Sequence, residues 1–475
     1  MKMFYKDVLG SRLNHKEVFG LRVNGYNIYP YFERSEFNIF VYDTTKNTDG
    51  STKVQLVDND SIYCGENKIP YTDWGDGQID NELTHYYSEH GQYVIKTTNF
   101  FTPGAVNPGV IELISLRYDF IDMEQLFEDW ENLEKTNLKY YDTLKATSMR
   151  RLFNTCYNLH SLDLNRWIVF YVTDMALMFN GCHSLTELNL NNWNVINVTD
   201  MGHMFGDCQA LTSLNLSNWN ASNVTDMSYM FNYCKNLTSL NLNKFKTNKA
   251  ETMQGMFDNC RALATLDVRS FDTSNVTNMG SMFTTCSSLT TLDLMNFDTN
   301  KVTDMKGMFS FCEALTTLDV SNWSIHNVYD MNSMFMGCTS LVTLDLGNWY
   351  ANKVTDMSQM FYDCQSISEL NLSNFNTSNV TTMYRMFHNC RSLEILDLSS
   401  FDMSNVTNTD YMFVACNNLH TLKLDSCSID TINKIINSSN FPTGTISGVI
   451  RKIYVKRDYE GLLTPPENWQ FEYID

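Results

Sequence analysis

The chain has 475 residues, 43% of them hydrophobic, and a formal net charge of −20 from 54 acidic and 34 basic residues. This composition excludes a disordered chain, and the length exceeds one ordinary compact domain unless repeats build an elongated one. The acidic balance argues against a basic patch that binds nucleic acid or an anionic membrane surface.

The first residues, MKMFYKDVLGSRLNHKEVFG, lack the apolar stretch of a secretory signal. No run in the chain approaches the ~18 apolar residues of a membrane span, so we expect no membrane insertion. A protein that starts at Met1 is therefore expected to be made in a cytosol and not exported by that route. Residues 1–17 are predicted to form an N-terminal segment that can serve for attachment.

Short alternating or apolar runs broken by Gly, Asn and Asp predict β-strands between residues 18 and 110. Within them, IPYTDWGDGQIDNELTHYYSEHGQYVIKTTNF resembles a PKD-type immunoglobulin-like domain. Residues 73–77 match its strand-and-turn signature and residues 84–93 match its later strands, with Ile95 where the pattern has valine. The resemblance implies a small all-β sandwich over residues 18–110. The stretch FFTPGAVNPG, residues 100–109, is predicted to be the linker that follows.

A 26-residue repeat occupies residues 111–440. It is marked by eleven cysteines with equal gaps: Cys156, Cys182, Cys208, Cys234, Cys260, Cys286, Cys312, Cys338, Cys364, Cys390 and Cys416. A degenerate copy, DMEQLFEDW, precedes them, which makes about twelve units. Self-similarity at a fixed period of this length predicts a solenoid.

Each unit contains two hydrophobic patterns, as in NVTDMSYMFNYCKNLTSLNLNKF, which begins at Asn223. The apolar spacing i, i+3, i+4 and i+7 predicts one short helix, formed in this unit by Met227, Met230, Phe231 and Cys234. The L-x-x-L-x-L pattern that follows predicts a leucine-rich-repeat strand. The predicted fold class is thus an α/β solenoid, a leucine-rich-repeat array with one strand and one short helix per 26 residues, preceded by the small all-β sandwich domain.

The cysteine column has two interpretations. The thiols could be metal ligands or redox centres, or they could be small apolar residues on the inner side of each unit. Zinc sites need clustered ligands such as C-x-x-C pairs, which the sequence lacks. Side chains at equivalent positions of adjacent coils are roughly parallel, which suits disulfides poorly. We therefore predict that the cysteines are core residues, with no metal and no cofactor.

The outward strand positions form a candidate binding face. The residue between the last two leucines of successive units is Asp163, Asn189, Asn215, Asn241, Asp267, Asp293, Asp319, Asp345, Asn371 and Asp397. Two residues earlier, four consecutive units carry Thr265, Thr291, Thr317 and Thr343. Stacked strands would make this a flat, polar, mildly acidic face. It could bind a partner protein, a glycan or a divalent cation, or it could be a solvated ladder without a ligand.

The segment SLTTLDLMNFDTNKVTDMKGMFSFCEALTTLDVSNW is similar to the repeat of BspA-like leucine-rich repeat surface proteins, in the 26-residue form of Mycoplasma surface proteins. The resemblance covers about two thirds of the chain. The tail RKIYVKRDYEGLLTPPENWQFEYID resembles the usual ending of that family, and residues 441–475 are predicted to cap the array. The resemblance implies a role in adhesion or binding and transfers no enzymatic motif.

The chain contains no G-x-S-x-G, H-E-x-x-H, Walker or G-x-G-x-x-G motif. We expect His85 and His90 to be packed or turn residues rather than metal ligands. We predict a non-enzymatic binding or structural display protein. Its expected partner is a protein or glycan on a cell surface or virion, and not a nucleic acid.

The missing export signal favours a phage virion appendage or decoration protein with an adhesion or host- or mucus-binding role. A bacterial cell-surface adhesin of the BspA-like class is the first alternative. An intracellular protein-interaction scaffold is the second. The ligand and the oligomeric state stay open at this point.

Overall fold

The computed structural model describes residues 9–13, 16–23, 26–28, 38–47, 53–55, 72–80, 84–97, 110–115, 123–139, 141 and 143–475. Part of the predicted attachment segment, at residues 1–8, 14 and 15, lies outside this description, as does the predicted linker 100–109. The chain forms two compact units, Met1–Asn194 and Val195–Asp475.

The described residues of the first unit form strands, turns and the short 3-10 helix η1 (Thr44–Lys46). Its strands are β1 (Leu9–Leu13), β2 (Lys16–Val23), β3 (Tyr26–Ile28), β4 (Asn38–Asp43), β5 (Lys53–Gln55), β6 (Thr72–Asp73), β7 (Ile79–Asp80), β8 (Thr84–Tyr86), β9 (Gln92–Thr97), β10 (Val110–Ser115), β11 (Lys135–Thr136), β12 (Ser161–Leu162) and β13 (Glu187–Leu188). They form three sheets, in the orders β1-β2-β3, β5-β8 and β13-β12-β11-β10-β4-β9-β6-β7.

The eight-stranded sheet joins the N-terminal strands to the repeat strands. β10 pairs antiparallel with β4 on one side and parallel with β11 on the other, where the backbone of Glu112 is in register with that of Lys135. β11, β12 and β13 then continue in parallel, one strand for each repeat. The predicted boundary between residues 110 and 111 falls at the start of β10. This strand takes part in the antiparallel pairing of the N-terminal strands and in the parallel pairing of the repeat strands.

Aromatic side chains pack around Trp74 in the described part of this unit. Trp74 is fully buried and stacks on His85, with ring centroids 5.0 Å apart. The hydroxyl of Tyr87 donates to the Trp74 carbonyl oxygen at 2.8 Å, and His85 Nε2 lies 2.8 Å from Asp76 Oδ2. His85 is therefore a packed residue, as predicted, whereas His90 is exposed.

The second unit contains the later repeats and the C-terminal segment. Its strands are β14 (Ser213–Asn215), β15 (Ser239–Asn241), β16 (Thr343–Asp345), β17 (Glu369–Asn371), β18 (Ile395–Asp397), β19 (Thr421–Lys423), β20 (Arg451–Lys456) and β21 (Trp469–Ile474). Its helices are α1 (Ile429–Ile436) and the 3-10 helix η2 (Arg457–Tyr459). β14 pairs with β15, β16 pairs with β17, and β18 to β21 form one four-stranded sheet.

All strand pairs of the second unit are parallel, and the repeat strands align residues 26 positions apart, as Ser213 with Ser239. Single parallel bridges, such as Thr265 to Thr291, continue the row between β15 and β16. The solenoid and its one strand position per repeat are therefore as the sequence predicts.

The predicted short helix in each repeat is wrong: the segment forms consecutive turns. The N–H groups of Met230 and Cys234 donate to carbonyls three residues back, at 3.4 and 3.1 Å. The N–H groups of Met227, Tyr229 and Phe231 donate instead to carbonyls of the following coil, at 3.2, 2.7 and 2.9 Å. Tyr229 has a left-handed φ of 55°, which rotates its peptide out of helical register. Each turn segment is therefore hydrogen-bonded to the next coil and forms a second ladder of the solenoid. An α-helix differs because its backbone N–H groups donate to carbonyls within the same helix.

The apolar stripe of each turn segment still faces the core. Met227, Met230, Phe231 and Cys234 are all fully buried. Phe231 stacks between Phe205 and Phe257 of the adjacent coils, with ring centroids 5.6 Å away on both sides. All twelve described cysteines are buried and none forms a disulfide, so the prediction that the eleven repeat cysteines are core residues is confirmed.

The C-terminal segment covers the last repeat. Ser428 caps α1 by accepting the N–H of Thr431 at 3.2 Å, and β20 pairs with β19 of the final repeat. Arg451 is almost fully buried, and its guanidinium lies 5.3 Å from the ring of Trp469 in β21. No helix in the described part of the chain is long and apolar enough to cross a membrane.

Candidate binding face

The strands direct the predicted binding residues to the surface. In β16 the pattern alternates: Thr343 and Asp345 are exposed while Leu344 between them is buried. A strand alternates its side chains in this way, and the leucines occupy the core side. All fourteen predicted residues are exposed or half-buried; Asp163 and Asn189 belong to the first unit and the others to the second.

Each Asp or Asn of this column closes a turn with its own backbone. Asp293 Oδ1 accepts the N–H of Met295 at 3.2 Å, and Asp345 Oδ1 accepts the N–H of Gly347 at 2.9 Å. The other eight members make the same bond at 3.0 to 3.2 Å. Sequence reasoning missed this Asx turn, although Asp or Asn recurring at the end of every strand is its signal. In each Asp of the column this bond uses Oδ1, so that Oδ2 is not needed for the turn.

Basic side chains of the chain pair with some of these carboxylates. Lys139 Nζ lies 2.7 Å from Asp163 Oδ2 in the first unit. In the second unit Arg269 binds Asp267 at 2.8 Å, and Lys423 lies 3.6 Å from Asp397. The hydrogen bonds from Arg269 lower the pKa of Asp267 to about 2. These members of the column are neutralised by neighbours in their own unit.

The middle of the column differs, because it lines a groove without cations. This groove has a volume of ≈ 420 Å³ and is lined by Thr291, Leu292, Asp293, Thr317, Leu318, Asp319, Thr343 and Asp345. In the described part of the chain, no Lys or Arg pairs with Asp293, Asp319 or Asp345. Asp345 accepts a hydrogen bond from the Asn371 side chain at 2.8 Å. The groove thus presents carboxylate and hydroxyl acceptors over a leucine floor.

The geometry brings together six of the fourteen predicted residues and leaves the others along the ladder outside the groove. Among the described residues, no group of three His, Cys, Asp or Glu side chains is placed to hold a metal ion. The groove itself contains only Thr, Leu and Asp, so it combines no nucleophile with a histidine or lysine base. Its chemistry is that of a surface that receives hydrogen-bond donors and positive charge.

Parallel strands that recur every 26 residues over leucine columns define a leucine-rich-repeat solenoid protein. The chain belongs to the family described as "Mycoplasma protein of unknown function, DUF285", whose profile matches residues 121–239, 182–289, 227–344, 251–369 and 334–442. This match confirms the predicted BspA-like repeat. No protein with curated annotation matches the chain at a significant level.

Two solved structures are similar to this chain. A leucine-rich cell surface protein from Faecalibacterium prausnitzii A2-165 is 16% identical, with 71% of this chain and 87% of that chain covered and a TM-score of 0.35. A leucine-rich-repeat protein from Leptospira interrogans is 14% identical, with 69% of this chain and 88% of that chain covered and a TM-score of 0.22.

Proposed function

We propose that this protein is a non-enzymatic binding protein that holds a partner protein in the groove of its strand face. The observation that carries the proposal is that Asp293 and Asp319 form no salt bridge in the described part of the chain, whereas Asp267 and Asp397 on either side of them do. Carboxylates without a salt bridge can receive a basic group of a partner. Lysine, arginine or backbone N–H groups would complement them, and the adjacent threonines supply hydroxyl and methyl contacts.

We propose the bacterial cell surface as the place where this binding occurs. The resemblance of the repeat to BspA-like surface proteins supports that setting, and membership of the Mycoplasma family agrees with it. The virion appendage expected from the start of the sequence has no support from the family match. No contact among the described residues specifically favours the second alternative, an intracellular protein-interaction scaffold.

We further propose that the N-terminal strands form a PKD-like domain that mounts the array. Two observations support this proposal: Trp74 packs against His85, and Asp76 closes the turn by accepting the N–H of Gln78 at 3.1 Å. The pairing of β10 with both β4 and β11 would connect such a mount to the first repeat strands.

The experiment compares two variants: one replaces two aspartates of the groove, and the control replaces two aspartates of the same column outside the groove. Immobilised extracellular-matrix protein is the target, either untreated, digested with protease or oxidised with periodate to destroy its glycans. We expect the purified chain to bind untreated and periodate-treated matrix and to lose binding after protease. Asp293→Asn with Asp319→Asn should weaken binding by about tenfold or more, because each lost charged contact costs about 1.5 kcal/mol or more.

The control carries Asp267→Asn and Asp397→Asn, which remove as much charge from the same column outside the groove. It should bind like the unaltered chain. Equal binding by the two double variants would refute the groove, and loss after periodate would replace the protein partner by a glycan. Immunogold labelling of intact producing cells and of purified particles decides between cell surface and virion.

A further inference from the structure

Two arginines occupy the same position of their repeats, two residues after the first methionine. Arg151 and Arg385 both have a left-handed φ of 55°, and both have a buried Nε without a hydrogen-bond partner. In the first unit, Arg151 Nη1 lies 3.4 Å from Glu128 Oε1. The residue that corresponds to Glu128, 23 positions before Arg385, is Tyr362. The position that holds the carboxylate of Glu128 for Arg151 thus holds the tyrosine Tyr362 in the repeat of Arg385.

Arg385 is held by rings instead of by a carboxylate. Its guanidinium carbon lies 4.9 Å from the ring centroid of Tyr384 and 5.3 Å from that of Tyr411. The two rings meet edge to face, with centroids 6.1 Å apart, and Tyr411 is 38% exposed. Such cation–π contacts fix the planar fork but satisfy none of its N–H groups.

The ionisable side chains beside the guanidinium of Arg385, those of Asp410 and His388, form no ion pair with it. The backbone N–H of Arg385 donates to the carbonyl of Asp410, but the carboxylate of Asp410 accepts the Ser439 hydroxyl at 2.6 Å. Burial and the positive charge of Arg385 lower the pKa of His388 and so favour the neutral imidazole. Within the described part of the chain, Arg385 has no ion pair, although the whole protein carries a net charge of −20.

We propose that Tyr384, Arg385 and Tyr411 form a docking point for an aspartate or glutamate side chain of a partner protein. A guanidinium fork binds a carboxylate through two parallel hydrogen bonds, and here the rings have already restricted its rotamers. Tyrosine and arginine are also the residue types that dominate the energetics of protein interfaces. The site lies on the turn segments, whereas the groove lies on the strands, and it does not depend on the function proposed for the groove.

The direct test is a selection of random peptides from a display library against the full chain and three variants. Arg385→Gln removes the fork. Tyr362→Glu places a carboxylate where Glu128 stands relative to Arg151, so that the fork is occupied from within the protein. Arg391→Gln is the matched control, because Arg391 is an exposed arginine nearby whose Nε already donates to Asn389 Oδ1 at 2.7 Å.

We expect the unaltered chain and Arg391→Gln to enrich the same peptides that contain Asp or Glu. Synthetic copies of these peptides should bind Arg385→Gln and Tyr362→Glu about tenfold or more weakly, and should lose affinity when their acid is changed to the amide. Melting curves establish that each variant is folded. Arg385→Lys, which keeps the charge without the fork, serves if the glutamine variant does not fold, and should also bind weakly.

Acidic peptides that bind all variants equally, or a selection without acidic peptides, would overturn the proposal. Sialylated sugars and vesicles with phosphatidylserine are tested in parallel. Arg385-dependent binding of either one without any acidic peptide would assign the fork to a sugar or a membrane and would also overturn it.

Discussion

The thiol of Cys234 donates a hydrogen bond to the carbonyl oxygen of Phe205 in the preceding coil, with Sγ and O 3.1 Å apart. The same bond recurs from Cys260 to Phe231 at 3.2 Å and from Cys390 to Phe361 at 3.2 Å. The cysteine is therefore more than a small apolar residue. It fits the narrow core and also donates to a carbonyl that points inward between two coils.

Removing this bond should destabilise the array. Cys234→Ala deletes the donor and leaves a small void, so we expect the free energy of unfolding to fall by about 1–2 kcal/mol. Cys234→Ser keeps a donor of similar size and should lose less. Urea denaturation followed by circular dichroism measures both. A serine variant less stable than the alanine variant would show that the hydrogen bond is not what the position requires.

The buried thiols should be unreactive in the folded protein. Burial raises the pKa of Cys234 and of Cys338 to about 12, so almost no thiolate exists at pH 8. A thiol reagent at that pH should label none of the twelve described cysteines in the native protein and all of them in urea, as mass spectrometry of the digested protein can count. Rapid native labelling of most repeat cysteines would contradict the packing described above.

A side chain at Gly255 should collide with the ring of Tyr229. The φ of Gly255 is +59°, and a Cβ added there would overlap the ring of Tyr229 from the preceding coil. We expect Gly255→Ala to cost about 1–3 kcal/mol in thermal unfolding. Combining it with Tyr229→Ala should remove the overlap and recover part of that loss. Gly444→Ala is the control, since nothing lies within 4 Å of its added Cβ, and it should be nearly neutral.

The stability of the second unit should depend on Asp258 between pH 4 and pH 6. Burial raises the pKa of this carboxyl to about 6, although Asn259 and Asn232 donate hydrogen bonds to it. The folded state therefore binds the proton more tightly than the unfolded state, whose pKa is near 3.8. This contribution to stability is complete below about pH 4 and disappears as the pH rises through 6.

Asp258→Asn removes this titration. We expect the difference in unfolding free energy between the unaltered chain and this variant to shift against the unaltered chain as the pH rises from 4 to 7. Chemical denaturation at several pH values measures that difference. A difference that is constant over this range would show that the carboxyl titrates normally in the fold.

Arg451 should hold the C-terminal segment on the array. Its Nη1 donates to the Pro442 carbonyl at 2.6 Å and its Nη2 to the Asn417 carbonyl at 3.0 Å. We expect Arg451→Met to cost about 2 kcal/mol and to speed hydrogen exchange in β20 and β21 before the repeats respond. Arg457→Met is the control, because this exposed arginine pairs with Asp475 at the surface and its loss should change little.

Part of the candidate binding face follows from the sequence alone. Thr317 and Asp319 are predicted to point outward because they alternate with a leucine in the strand pattern. The sequence could not predict that Asp319 is unpaired while Asp267 is bound by Arg269, because that depends on side-chain positions. Nor could it predict that Arg151 forms an ion pair with Glu128, whereas Arg385 has Tyr362 at the corresponding position. Each arginine and the residue that corresponds to its partner belong to neighbouring coils, and their contact depends on how the coils stack.

By itself the sequence determined the period of 26 residues, the strand in each repeat and the burial of the cysteine and leucine columns, because apolar residues that recur at a fixed period are buried when successive repeats stack. The tertiary structure alone decided whether the Met, Phe and Cys stripe would be a helix. Helical and consecutive-turn segments share the spacing i, i+3, i+4 and i+7, and they differ only in where their N–H groups donate. Stacking against the next coil offers carbonyls to Met227, Tyr229 and Phe231, and so the turns form.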